Sequence, residues 1–292
     1  MRIELNNGQL SLTVDTLGVQ MLHLRAGGTE YLWQGDPKYW ADRAPVLFPF
    51  IGRLTGDSYC WQGKTYPMGI HGFAAAAEFV PTARGADHVV LTLAANEATK
   101  ESYPFAFTLE IAYRLAGNRL EITYTVRNEG GGMLPFGIGG HPGFRVPFAA
   151  GTEFADYYLE FSDPCRPDRV GFTPAVYLSG HDTAYPLENG RIIRLRHDLF
   201  DDDAIILKNM CREITLKTDK DPHFVRVTYP QMAYLGIWHR PHTDAPYVCI
   251  EPWTSLPSRQ DVVEDFACKS DLVHLLPGKT YENTWTITLG RE

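Results

Sequence analysis

The sequence predicts an all-β fold, a large antiparallel β-sandwich with few short helices. Three observations lead there. Apolar residues recur at every second position in one segment after another, the spacing that puts them on one face of a strand. Glycine and proline, 26 and 20 residues, punctuate the chain from end to end, as in an all-β domain rich in turns. Helical spacing is confined to three short stretches, residues 37–42, 96–101 and 262–267.

The alternation identifies the strands in order. Leu10, Leu12 and Val14 alternate with Ser11, Thr13 and Asp15, and Val89, Leu91 and Leu93 repeat the pattern. Its longest run is Phe105, Phe107, Leu109, Ile111, Tyr113 and Leu115. Ala116, Gly117 and Asn118 then form a short turn, and Leu120, Ile122, Tyr124 and Val126 alternate with Glu121, Thr123, Thr125 and Arg127. This predicts a long hairpin with one buried and one wetter face. Ile214 with Leu216, Val225 with Val227 and Tyr229, and Trp285 with Ile287 and Leu289 continue the series. No linker, composition break or fixed-period repeat divides residues 1–292, so a single domain is expected and a propeller is not.

Composition narrows the function. The 292 residues carry 27 basic and 35 acidic side chains, a net charge of −8, with 44% hydrophobic and 21% charged residues. That content disfavours disorder. The absence of a basic excess argues against nucleic acid, and no run of about 18 apolar residues offers a membrane span. The opening MRIELNNGQL lacks an apolar core of the signal-peptide kind, which predicts a cytoplasmic protein. Five scattered cysteines with no CxxC pair predict reduced thiols, not a zinc ribbon.

Four segments place polar residues among glycine, proline and aromatics. In FPFIGRL, Arg53 follows an apolar run; alone it reads as a surface residue at a strand end, or as a guanidinium that binds hydroxyls in pairs. In GIHGF, His71 reads either as a core histidine or as a ligand contact beside a glycine that permits close approach. GIGGHPGF is too rich in glycine and proline for a strand interior, and its one titratable group is His141. In YVCIEPW, Val248 and Ile250 should face one side of a strand, Cys249 and Glu251 the other. A carboxylate at the end of a buried strand is costly unless paired or used, and Trp253 beside it offers a flat face suited to a sugar. His242, Asp244 and His274 have the residue types of a two-histidine, one-carboxylate iron site, but short HxD matches are common; residues 239–246 read more simply as a polar loop.

Arg53, His71, His141 and Glu251 occur in the order seen in the aldose 1-epimerase (galactose mutarotase) family. Across nearly the whole chain the sequence resembles that family, in its LacX-like branch, most specifically at GGHPGF and IEPW. LFDDDAIIL resembles the segment where the family places a sugar-contacting Asp; Asp203 is favoured there, ahead of Asp202 and Asp201. The resemblance implies a galactose mutarotase-like supersandwich with an open sugar cleft, an isomerase activity, and no metal or cofactor. Mutarotation removes a proton from the anomeric hydroxyl and delivers one to the ring oxygen, so a base and an acid on opposite sides of the sugar suffice. Glu251 is expected as the base and His141, as an imidazolium, as the acid. Arg53, His71, Asp203 and Trp253 are expected to bind the sugar. The expected partner is a small-molecule sugar, with neither nucleic acid nor membrane, and the chain a monomer or homodimer. Three other readings compete: a hexose-6-phosphate 1-epimerase, a non-catalytic sugar-binding protein, and a glycosidase, which usually needs two carboxylates flanking one bond.

Overall fold

The computed structural model describes residues 1–291. Alternation does what the sequence predicts. The hairpin forms from strands Phe107–Ala116 and Arg119–Asn128, joined across Gly117 and Asn118, with Leu109 paired to Val126 and Tyr113 to Ile122. Every odd position from Phe107 to Leu115 is buried, as is every even position from Leu120 to Val126. Fully burying one such aliphatic or aromatic side chain stabilises the fold by about 1.5–3 kcal/mol, so register is fixed by the whole face together.

This hairpin lies in a nine-stranded antiparallel sheet. Its middle is Glu213–Thr218, Asp221–Thr228, Thr280–Arg291, Arg119–Asn128 and Phe107–Ala116, in that spatial order. A second sheet of eight strands contains Ile205–Lys208, Tyr234–Trp238, Tyr247–Trp253 and Gly139–Gly140 as successive neighbours. Tyr124, Trp285 and Ile287 of the first sheet share one buried core with Val248 and Ile250 of the second. A four-stranded sheet from Arg2–Asn6 to Thr29–Glu30 adds Ile3, Leu5, Leu12 and Val14 to the same core. The architecture is the large antiparallel β-sandwich that the alternation predicts.

Of the three expected helices, one forms. Glu97–Ser102 is an α-helix capped by Asn96, whose side chain accepts from the Thr99 amide while Thr99 Oγ1 accepts from the Asn96 amide. Residues 37–42 make only a turn. The Asp36 carbonyl accepts from the Tyr39 and Trp40 amides, Asp36 Oδ1 takes the Lys38 amide, and the Trp40 carbonyl goes to the Trp33 indole. Residues 262–267 make no helix either. The Glu264 carbonyl accepts from the Cys60 amide, and the Phe266 amide donates to the Cys60 carbonyl, so backbone that could have coiled pairs with strand Ser58–Trp61 instead. No helix among the described residues is long and apolar enough to cross a membrane.

Candidate functional site

The site begins with strand register. Gly139 pairs with Trp253 and Gly143 pairs with Cys249 in an antiparallel arrangement. Residue 141 therefore stands opposite residue 251, where the ladder is interrupted between the two short paired segments. Side chains 249, 251 and 253 point away from the core that holds Val248 and Ile250, as the sequence predicts. On that outer face His141 Nε2 lies 3.3 Å from Glu251 Oε2. Glycine makes the approach possible. A Cβ on Gly140 would lie 2.6 Å from the Trp285 ring, and one on Gly139 would lie 2.8 Å from Trp253. Gly236, opposite Glu251, leaves room on the other flank.

His141 and Glu251 form part of the wall of a cleft of about 560 Å³, within the usual range of small-molecule sites. All the predicted site residues, Arg53, His71, His141, Asp203, Glu251 and Trp253, line this one cleft. Asp202 lines it too. Asp201 instead pairs with His242, 3.2 Å away, so the three consecutive aspartates separate into different roles. Sequence reasoning missed Trp40, Trp238 and Arg240, which also border the cleft. Trp40 stands over the His141 ring with centroids 4.8 Å apart, and Trp238 meets that ring edge-on at 5.6 Å. Trp40 was hidden in a stretch that reads as helix. Trp238 carried one available signal, its place opposite the core-facing Leu235 and Ile237 in the alternation. The 239–246 segment is a loop, as expected, but it also supplies Arg240 and His242 to the rim.

His71 is fixed by its neighbours. Its amide donates to the Gly52 carbonyl, its carbonyl accepts from the Phe48 amide, and its Nδ1 accepts from the Gly52 amide at 3.0 Å. With Nδ1 accepting, the ring proton sits on Nε2, free to donate into the cleft. The residue adopts φ of +64°, a conformation costing a non-glycine residue roughly 1–2 kcal/mol. Val176, Asp203 and His242 of the cleft wall share the left-handed conformation. Such strain gathers where surrounding structure holds functional side chains in set positions.

Burial governs the electrostatics. It pushes Glu251 well above the ordinary carboxylate range, and the Asp203 charge adds to the rise. Burial pushes His141 well below the ordinary imidazole value, helped by His71. His71 itself is lowered to about 4 by burial and then by Arg53. The unliganded pair therefore favours its uncharged forms, contrary to the expectation that His141 stands ready as an imidazolium. Glu251 Oε2, His141 Nδ1 and Trp253 Nε1 are buried without hydrogen-bond partners, so the floor of the cleft holds polar atoms that a ligand can satisfy.

One group among the described residues brings three potential metal ligands within 4.8 Å of one another: His141, Cys249 and Glu251. His242, Asp244 and His274 form no such group, and His274 Nε2 is bonded to the Phe266 carbonyl at 3.0 Å.

Comparison with known proteins places this architecture. The family model described as Aldose 1-epimerase matches residues 1–288. The chain is 31% identical over 299 aligned residues to the chromosomal protein LacX of Lactococcus lactis subsp. lactis, covering 99% of both. A galactose mutarotase related enzyme from Lactobacillus acidophilus superposes with a TM-score of 0.95 at 32% identity, over 99% of this chain and 97% of that one. A galactose mutarotase-like protein from Lactobacillus casei ATCC 334 gives 0.93 at 30% identity, over 99% and 100%. The chain belongs to the aldose 1-epimerase family.

Proposed function

We propose that the protein is an aldose 1-epimerase, a cofactor-independent isomerase that interconverts the α and β anomers of a free hexose. The observation that carries this reading is the 3.3 Å contact between His141 and Glu251 in the wall of the cleft. The anomeric hydroxyl and the ring oxygen are bonded to the same carbon. An acid and a base that nearly touch can reach both, with no need for them to stand on opposite sides of the sugar.

The proton account closes on the pair. One proton resides on it, favoured on Glu251 by burial. Passing it across the contact leaves a carboxylate and an imidazolium. Glu251 then takes the proton of the C1 hydroxyl, the C1–O5 bond breaks as the C1 carbonyl forms, and His141 protonates the departing O5. The open chain turns about C1–C2. Reclosure reverses each transfer: His141 takes the proton from O5 as it attacks C1, and Glu251 returns one to O1. Nothing is consumed. His71 Nε2–H and the Arg53 guanidinium donate to sugar hydroxyls, Asp203 accepts from one, and Trp253 shapes the cleft wall.

Charge favours an unphosphorylated sugar. The cleft carries the carboxyl groups of Asp42, Asp202, Asp203 and Glu251 against the guanidiniums of Arg53 and Arg240, a poor cradle for a phosphate dianion. A module that only binds sugar has no use for a buried carboxyl and imidazole in contact, which cost stability to hold out of water.

Anomer exchange of freshly dissolved α-D-glucose and α-D-galactose, followed by polarimetry, tests the proposal. A rate above buffer that vanishes in Glu251→Gln supports both the reaction and the base. A wild-type rate equal to buffer on both sugars removes the free-hexose reading, and saturable sugar binding without exchange would favour a binding protein.

A further inference from the structure

Cys249 takes no part in proton transfer. It is fully buried, is not among the residues that line the cleft, and lies among Trp33, Tyr247 and Ala245 behind the catalytic pair. Yet it shares the outer strand face with Glu251, two residues on, and lies opposite Gly143, two residues beyond His141. The potential ligand atoms of all three side chains lie within 4.8 Å of one another.

From this geometry we propose that His141, Cys249 and Glu251 form a zinc-binding site whose occupation switches the cleft off. Four features support it. The donor set is one sulfur, one nitrogen and one oxygen, which suits zinc and not magnesium or calcium. Tetrahedral zinc, with metal–ligand bonds of about 2.0–2.3 Å, sets its ligand atoms roughly 3.3–3.8 Å apart, and His141 Nε2 already lies 3.3 Å from Glu251 Oε2. Glu251 is 1% exposed and its Oε2 has no hydrogen-bond partner. The ion also has a path, because His141 and Glu251 border the cleft while Cys249 closes the site from behind. Three protein ligands leave a fourth position for water.

On binding, the Cys249 thiol and the His141–Glu251 pair give up their protons to solvent. The metal is then held by a thiolate, a neutral imidazole and a carboxylate. Base and acid are both occupied, so anomer exchange stops until the metal is withdrawn. The loss of activity rests on the proposed function; the binding does not.

The test uses the full chain, stripped of metal and titrated with zinc chloride by calorimetry and with cobalt(II) by absorption. Expected are one zinc per chain, a near-ultraviolet thiolate-to-cobalt band, and at least a tenfold loss of anomer exchange at saturating zinc, restored by EDTA. Cys249→Ser should keep its exchange activity in zinc, lose the band, and bind zinc at least tenfold more weakly. Cys268→Ser, at an exposed cysteine, should behave as wild type. Equal zinc affinity in wild type and Cys249→Ser, or no cobalt band in wild type, overturns the site. Full exchange activity with zinc bound overturns the switch. Should Cys249→Ser fail to fold, Cys249→Ala replaces it, and loss of the band in Glu251→Gln gives an independent reading. A cobalt band in a chain without exchange activity keeps the metal site and removes the proposed function; exchange activity with no band does the reverse.

Discussion

His141 and Glu251 face each other across two antiparallel strands, with Nε2 and Oε2 3.3 Å apart, at the one point where the Gly139 and Gly143 pairings leave the ladder open. Two sequence segments more than a hundred residues apart meet in one contact because their registers coincide. Proline follows each residue, as Pro142 and Pro252. Lacking an N–H, proline cannot donate to a ladder at that point.

Glu251→Gln separates activity from stability. The substitution preserves shape and removes the proposed base, so anomer exchange should fall by about 10²–10⁴-fold. Stability should move the other way. Burial raises the folded-state pKa of Glu251 above its unfolded value, so at this group the folded state binds more protons and its contribution to stability declines as pH rises from the ordinary carboxylate range through the raised pKa. Gln carries no such liability. The melting temperature of the variant relative to wild type should therefore increase with pH across that range, and a difference that stays flat or falls with pH would contradict the assignment of Glu251 as a buried acid with a raised pKa.

The pH profile of kcat/KM should be a broad bell. In the proposed reaction the pair holds one proton. A second binds only below the ordinary histidine range, because burial lowers His141, and the last leaves only above the ordinary carboxylate range, because burial and Asp203 raise Glu251. Asp203→Asn removes the like charge and keeps the Oδ1 that accepts from the Ala204 amide at 2.7 Å. Its alkaline limb should shift to lower pH while its acid limb stays. An unmoved alkaline limb would dissociate Asp203 from the pair.

Arg53→Ala should raise KM with little change in melting temperature. Its side chain is exposed and makes no ion pair among the described residues, so the fold does not depend on it. His71→Asn tests the opposite case. Asn tolerates the left-handed backbone at position 71 but does not place an Nε2–H in the cleft. Exchange should drop roughly 2–10-fold, in line with the loss of a hydrogen bond between uncharged groups worth about 0.5–1.5 kcal/mol, while far-ultraviolet circular dichroism stays unchanged.

Gly140→Ala should damage stability and catalysis together. The added methyl would meet the buried Trp285 ring at 2.6 Å. Overpacking of this kind costs about 1–3 kcal/mol, and relief requires the backbone next to His141 to move. Chemical denaturation and polarimetry on one sample should show both losses; a stable variant with reduced exchange would mean the strand shifts without strain.

Alternation of apolar and polar residues determined the sheets, because a strand has only two faces and burying one fixes its register. That is why the Phe107–Ala116 and Arg119–Asn128 hairpin and the core-facing Val248 and Ile250 were legible in the sequence. The motifs around Arg53, His71, His141 and Glu251 were legible as well, because glycine and proline beside a titratable residue mark backbone that must approach something closely. Tertiary structure alone decided the rest. The helical spacing at 262–267 lost to hydrogen bonds with Cys60, since a backbone amide can satisfy only one partner well. Asp202 and Asp203 came to line the cleft while Asp201 paired with His242, a division that three identical neighbours in sequence do not encode. The charge state of the His141–Glu251 pair depends on how much water the surrounding indoles and strands exclude. No residue carries that quantity by itself; it arises only when Trp40, Trp238 and Trp253 close around His141 and Glu251.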